Sequence, residues 1–335
     1  KEMAGLDRHI TSAVSGAMID HEIDGPIAWT RATLASGEGW ARLGPECLAE
    51  LLAVAALLRA NPLPVLALDP ADFDLAHCRH AMAGIRGALE RGPGFAIVDR
   101  LPLERIERAE AVSLFWLLGS LIARPVAQKW DGAMVYDVRD LGRPPGNGVR
   151  PDITNVEQSF HTDNSYNLCP PEYVGLLCMH PAMEGGVSRL VSLVSAHNEM
   201  RRRPDLLSRL YQPFYFDRQR EHAPDDTMVT HHPIFEVEAE RLHGRLSRFQ
   251  VRNGQALAGL TLDALGEAAL DELDRIMERP DLRMDFHFEA GQIQFVNNRQ
   301  IAHKRTAFRD WPEPERKRHL IRLWLRDRGR PFYNG

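Results

Sequence analysis

Three places in the chain set a histidine two residues before a carboxylate: His161/Asp163 in SFHTDNSYN, His197/Glu199 in SLVSAHNEMRRRPDLLSRL, and His287/Glu289 in MDFHFEAGQIQF. Imidazole and carboxylate together are what a divalent transition metal takes as ligands. On a strand, residues two apart project from one face, so each pair is a candidate half of a metal site. On a helix they face away from each other, and His197/Glu199 lies in a stretch that reads as helix after Ser195. In the third stretch Met284, Phe286 and Phe288 form the apolar face of a hairpin with its turn at Ala290-Gly291. Asp285, His287 and Glu289 then fall on the solvent face. Spacing alone says no more about His161/Asp163, and the company that pair keeps must be read next.

Downstream of it come PPEYVGLLCMHPAMEGGVSRLVS and, much later, QFVNNRQIAHKRTAF and RKRHLIRLWLR. The ordered set His161, Asp163, Pro170-Pro171, Gly185-Gly186-Val187-Ser188, His303 and Arg318 resembles the pattern of the taurine/2-oxoglutarate dioxygenase superfamily (TauD/TfdA type), across residues 92–328. The resemblance implies that His161, Asp163 and His303 hold Fe(II) as a two-histidine, one-carboxylate set with open positions for 2-oxoglutarate and O2. It implies that Arg318, 15 residues beyond His303, receives the far carboxylate of 2-oxoglutarate. Arginine suits that task because its planar fork pairs with both oxygens. Ser188 sits where the family has a threonine hydroxyl beside the same carboxylate. Arg322 meets either the co-substrate's C1 carboxylate or an anionic group of the substrate. Asn164 and Tyr166 follow the first two ligands and are candidates to face the substrate. Asn297 is expected to brace the loop before His303. Related halogenases replace the carboxylate ligand with a small residue, so Asp163 favours hydroxylation or a related oxidation.

The elements that must position these residues fall into two textures. Residues 44–62 and 72–92 read as amphipathic helices, the first with Leu48, Leu51, Leu52, Ala55 and Leu58 at helical spacing and Pro62 beyond its end. His77 and His80 are expected on the second helix's surface. A short buried strand, GFAIVDRLP, precedes a third helix over 104–122. After Pro125, short β-rich runs alternate with Gly, Pro and Asn turns, interrupted by helices near 195–210 and 262–278, which suggests an antiparallel sandwich or barrel. The fold that the resemblance implies is α+β: a double-stranded β-helix (jelly-roll) core with flanking helices. Its division is an N-terminal helical extension, 1–75, and an oxygenase domain, 76–335. In RHLIRLW, alternation puts Arg318, Leu320, Arg322 and Trp324 on one face, looking into the barrel, and His319, Ile321, Leu323 and Leu325 on the other. Residues 141–155, LGRPPGNGVRPDITN, read as a mobile loop leading into the His161 strand. YQPFYFDRQREH, 211–222, is either a substrate wall or a solvated loop.

Composition limits the function classes. The chain has 335 residues, 44% hydrophobic and 26% charged, with a formal net charge of −5. That is ordinary for a globular protein and argues against an electrostatic nucleic-acid binder. Four cysteines without a C-x-x-C pair fit neither a zinc site nor a disulfide framework, and a reducing cytoplasm fits best. No apolar run is long enough to span a bilayer, and KEMAGLDRHI lacks a signal peptide's apolar core. The expected partners are a small-molecule substrate and, in a homo-oligomer, further copies of the chain. Within those limits, the resemblance implies an Fe(II)/2-oxoglutarate-dependent oxygenase that oxidises a C–H bond of a small polar molecule such as an amino acid, betaine or pathway intermediate. Its rivals are a metal-binding β-helix used as a sensor or binder without turnover, and a zinc hydrolase, against which Ser188 and Arg318 argue.

Overall fold

Pro45 opens helix α1 (Pro45–Ala60), whose buried side is Leu51, Val54, Ala55 and Leu58. In α2 (Ala76–Arg91) the buried set is Cys78, Met82, Ile85 and Leu89, at the three-to-four-residue spacing of one helix face. His77 and His80 lie outside it, exposed, and His77 hydrogen-bonds Glu50. A reciprocal cap between Glu107 and Glu110 starts α3 (Arg108–Ser120). These helices share one apolar cluster with Leu177, Phe295, Ile321, Leu323 and Leu325. They therefore cover one side of a sheet.

A computed structural model of the chain describes residues 17–144 and 149–332, so the expectations that fall on 1–16 and on the middle of the 141–155 loop lie outside the described residues. That sheet runs Trp40–Arg42, Phe95–Asp99, Ile293–Asn297, Tyr173–His180, His319–Leu325 and Pro125–Val126 in spatial order. Tyr136–Val138 also pairs with His319–Leu325. Only the first pair is parallel. A second, four-stranded antiparallel sheet runs Arg283–Phe286, Ser188–Ser192, Ile301–Arg305, Gln158–His161. Its outer face packs against α4 (Leu193–Met200), α5 (Pro204–Leu210) and α7 (Ala264–Met277), through Val191 and Ala302 among others. A further cluster, including Phe95, Val174, Leu190, Phe288, Leu320 and Trp324, lies between the sheets. The result is a mixed α/β architecture of helices, sheet, sheet and helices. None of its helices is long and apolar enough to cross a membrane, among the described residues.

Several local expectations need correction. The stretch 283–297 is not a hairpin: Arg283–Phe286 belongs to the small sheet and Ile293–Asn297 to the large one. The chain changes sheet at Gly291, whose φ of +88° and the 2.3 Å between a built Cβ and the Leu101 carbonyl exclude a side chain there. The helix near 195–210 starts earlier, at Leu193 with Ser192 as its cap, and breaks before Pro204. The sequence reading missed α6 (Arg248–Leu257), which packs on a hairpin of Phe214–Asp217 and Val229–His232. Within 211–222, Phe214 and Phe216 are wholly buried, so that stretch is not a solvated loop throughout.

Candidate active site

The strand Gln158–His161 ends at His161, and Asp163 lies in the turn that follows. Side-by-side projection from one strand is therefore not what brings the pair together. The Thr162 and Ser165 hydroxyls hydrogen-bond each other at 2.9 Å, and Asn164 takes a φ of +56°. These turn the carboxylate back toward the sheet. His303 arrives by register, as the direct cross-strand partner of His161, with ring centroids 4.3 Å apart.

Asp163 Oδ1 is 3.4 Å from Nε2 of both His161 and His303. That is beyond good hydrogen-bond length and leaves a gap a cation would bridge. Asp163 Oδ2 is already taken: Trp324 Nε1 donates to it at 2.7 Å, and Arg322 Nη1 lies 3.3 Å away. His161 Nδ1 donates to the Ser159 carbonyl at 2.8 Å, and Gln158 Nε2 lies 3.1 Å from His161 Nε2, the nitrogen that faces the gap. Burial would raise the Asp163 carboxyl, but Arg322 and the two histidines outweigh it and hold it well below the usual range. Burial, with His161 alongside, lowers His303 and keeps it neutral. Two imidazoles and one carboxylate, their ligand atoms all within 4.8 Å of one another, fit a divalent metal.

Two cavities meet at this point. The larger, about 420 Å³, is lined by His161, Asp163, Asn164, Tyr166 and Arg322, and by the first turn of α6. Both sequence candidates for substrate contact, Asn164 and Tyr166, are buried on its wall, and Asn164 Oδ1 has no partner. The other cavity is narrow and runs from the triad to Ser188, Arg305 and Arg318. Arg318 is 5% exposed, its Nη1 is buried without a hydrogen bond, and burial, with Arg305 adding, pushes it down to about 9. A buried guanidinium without a carboxylate is costly, and the arrangement fits an anionic ligand. A Cβ on Gly186 would stand 3.3 Å from Arg318 Nε, so the Gly-Gly turn leaves room for that arginine. Ser188 Oγ donates to Gln294 Oε1 at 2.8 Å. Arg322 lines both cavities, and its Nε donates to Gln128 Oε1 at 2.8 Å.

The other two pairs do not converge. His197 is wholly buried against Tyr211, while Glu199 pairs with Arg202 and Arg279. His287 is exposed, and Glu289 pairs with Arg100. Asn297 does brace its loop, accepting from Arg299 N at 3.1 Å. Its neighbour Asn298 went unnoticed. Asn298 Oδ1 accepts from Asp163 N at 2.7 Å, and its Nδ2 donates to the carbonyls of Asp163 and Pro171. The doubled Asn of FVNNRQ was visible, but not which of the two reaches the metal turn. Gln128, Gln294 and Arg305 carried no local signal.

A family model described as "Taurine catabolism dioxygenase TauD, TfdA family" matches residues 60–324. FR-33289 synthase of Streptomyces rubellomurinus is 28% identical, over 92% of this chain and 92% of that protein. The taurine hydroxylase-like protein SAT17 of Stachybotrys chartarum is 25% identical, over 96% of this chain and 82% of that protein. Among solved structures, asparagine oxygenase with Fe(II), 2S,3S-3-hydroxyasparagine and succinate superposes with a TM-score of 0.68 at 16% identity, covering 86% of this chain and 94% of that one. The non-heme iron oxygenase OrfP with Fe and alpha-ketoglutaric acid gives 0.60 at 15% identity over the same shares.

Proposed function

The chain belongs to the TauD/TfdA dioxygenase family and is an iron(II)- and 2-oxoglutarate-dependent oxygenase, and on that premise we propose the role of each site residue and the class of substrate. His161, Asp163 and His303 hold the iron. Arg318 receives the far carboxylate of 2-oxoglutarate, with Ser188 beside it. Arg322 stands where co-substrate and substrate meet. The observation that carries this assignment is the pairing of a convergent His-Asp-His set with an uncompensated buried arginine across one narrow cavity. When bound, iron and 2-oxoglutarate supply an oxidant strong enough for an unactivated C–H bond, with succinate and CO2 as the other products.

What the chain supplies is placement. Trp324 and Arg322 occupy one oxygen of Asp163 and direct the other at the metal position. Asn298 fixes the backbone that carries it. The buried walls keep water from the co-substrate's charged end. We read the two facing sheets as the halves of a double-stranded β-helix. Residues 1–75 are its N-terminal extension and 76–335 its oxygenase domain, a division supported by the position of every assigned residue beyond 150. A reducing cytoplasm is the proposed compartment; the buried Cys47 and Cys78 thiols lie in contact without being joined.

The substrate is a small polar molecule of amino-acid size, hydroxylated at a C–H bond. The larger cavity supports this through its volume and its mixed lining of Arg150, Asp152, Asn164, Gln250 and Arg252. The structures of asparagine oxygenase and OrfP are in complex with hydroxylated amino acids, which points the same way. Stoichiometric succinate release across a panel of amino acids, betaines, sulfonates and pathway intermediates tests the reading. Iron binding with no succinate release from any of them would return the non-catalytic sensor to favour.

A further inference from the structure

The narrow cavity between the triad and Arg318 holds more positive charge than one carboxylate needs. Lys304, Arg305, Arg318 and Arg322 all line it. Lys304 is compensated by Glu157 and Glu278, and Arg322 by Asp163. Arg305, like Arg318, has no carboxylate within ion-pair range among the described residues. It is 6% exposed, and its Nε is buried without a partner. Its Nη2 donates to the carbonyls of Val156 and Pro151. Both guanidiniums lie over the ring of Phe308, at 4.7 Å for Arg305 and 5.1 Å for Arg318. Two like charges buried in one cavity raise each other's cost, and an anion bound in that cavity offsets it.

We infer that Arg305 is a second cation of the co-substrate cavity, sharing the far carboxylate of 2-oxoglutarate with Arg318. The inference rests on the reading of that cavity given above. Arg305 lies two residues after His303 on the same strand, and it also anchors the chain that leads into the His161 strand. A purely structural role is thus the competing explanation, and the test must separate the two.

The experiment compares wild type with Arg305→Met and Arg305→Lys, as full chains loaded anaerobically with Fe(II). Affinities are measured for iron, for 2-oxoglutarate and for 2-oxobutyrate, which has the same 2-oxo acid head and no far carboxylate. The expected result for Arg305→Met is a loss of about tenfold or more for 2-oxoglutarate, the scale of a charge-assisted hydrogen bond. Affinities for 2-oxobutyrate and iron stay at the wild-type value. Lysine restores part of the loss, keeping the charge without the fork. Should the methionine variant fail to fold, the lysine variant carries the same comparison, with a smaller loss confined to 2-oxoglutarate. Unchanged 2-oxoglutarate affinity, or equal losses for both acids, overturns the inference while leaving the iron and Arg318 assignments intact. A wild-type protein that binds neither acid overturns the co-substrate reading and this inference with it.

Discussion

Each metal-site residue answers to partners of its own, and substitutions separate their roles. Replacing His161, Asp163 or His303 with alanine removes one of the three proposed ligands and is expected to abolish measurable iron binding in a chain that still folds. His287→Ala and Glu289→Ala leave iron affinity as it was. Asn298→Ala leaves all three ligands but frees the Asp163 backbone, and the expected loss is about 10–100-fold in iron affinity. Titration with Fe(II) under anaerobic conditions reads all of these. Unaltered affinity in Asn298→Ala would show that the turn holds without its clamp. Arg318→Ala is a different experiment, because iron binding survives it. Its expected loss in 2-oxoglutarate affinity is about a hundredfold or more, for a bidentate charged pair held away from water. Ser188→Ala costs less, since its hydroxyl also serves Gln294. Arg322→Ala decides the open question about that residue: a matching loss for 2-oxoglutarate means it grips the co-substrate, whereas a loss confined to the prime substrate means that molecule carries an anion. An Arg318→Ala protein with wild-type 2-oxoglutarate affinity would remove the main support for the co-substrate site.

At the level of elements, α6 is where packing touches specificity. Its N-terminal end lines the proposed substrate cavity through Arg248, Gln250 and Arg252. Gln250 is 7% exposed and its Oε1 has no partner. The helix sits close to its supporting strand only because residue 254 is glycine: an added Cβ would lie 2.5 Å from the Tyr215 carbonyl and 2.7 Å from Asp217 N. Those are backbone atoms and cannot swing aside. Gly254→Ala is therefore expected to push α6 away, at about 1–3 kcal/mol in stability. The KM for prime substrate rises while 2-oxoglutarate affinity holds. Thermal unfolding together with steady-state kinetics checks both, and an unchanged KM would mean that α6 does not meet the substrate. This helix also marks a limit of the sequence reading. RFQVRNGQAL has glycine and polar residues where a helix predictor looks for leucine, and the stretch was passed over. The strand carrying Arg322, with Arg318 just before its first residue, was legible because its two faces separate cleanly. Leu320 and Trp324 pack between the sheets, and Ile321, Leu323 and Leu325 pack against α1–α3.

For the whole molecule, pH acts through histidines that the site does not use. His197 and His232 are wholly buried, and burial lowers them to about 4 and about 2. Unfolded, each takes a proton near the ordinary value of about 6.5. The unfolded state thus binds more protons below that pH, so their contribution is complete above about 6.5 and is lost as pH falls toward the folded values. The expected slope is about 1.4 kcal/mol per group per pH unit. A melting temperature followed from pH 8 to pH 5 should stay level and then fall, and a flat profile would contradict buried neutral histidines. Periodic burial, turn residues and the ordered run His161, Asp163, Gly185-Gly186, His303, Arg318 are local properties of the chain, and they made the helices other than α6, most strands and the proposed metal ligands with Arg318 legible. Pairing was decided elsewhere. That His303 stands opposite His161, that 283–297 divides between two sheets, that Asn298 clamps Asp163, and that Arg305 shares a cavity with Arg318 all depend on which distant strands become neighbours. A strand's alternation says which side chains share a face but not what lies opposite. A buried charge acquires its role only from the other groups enclosed with it.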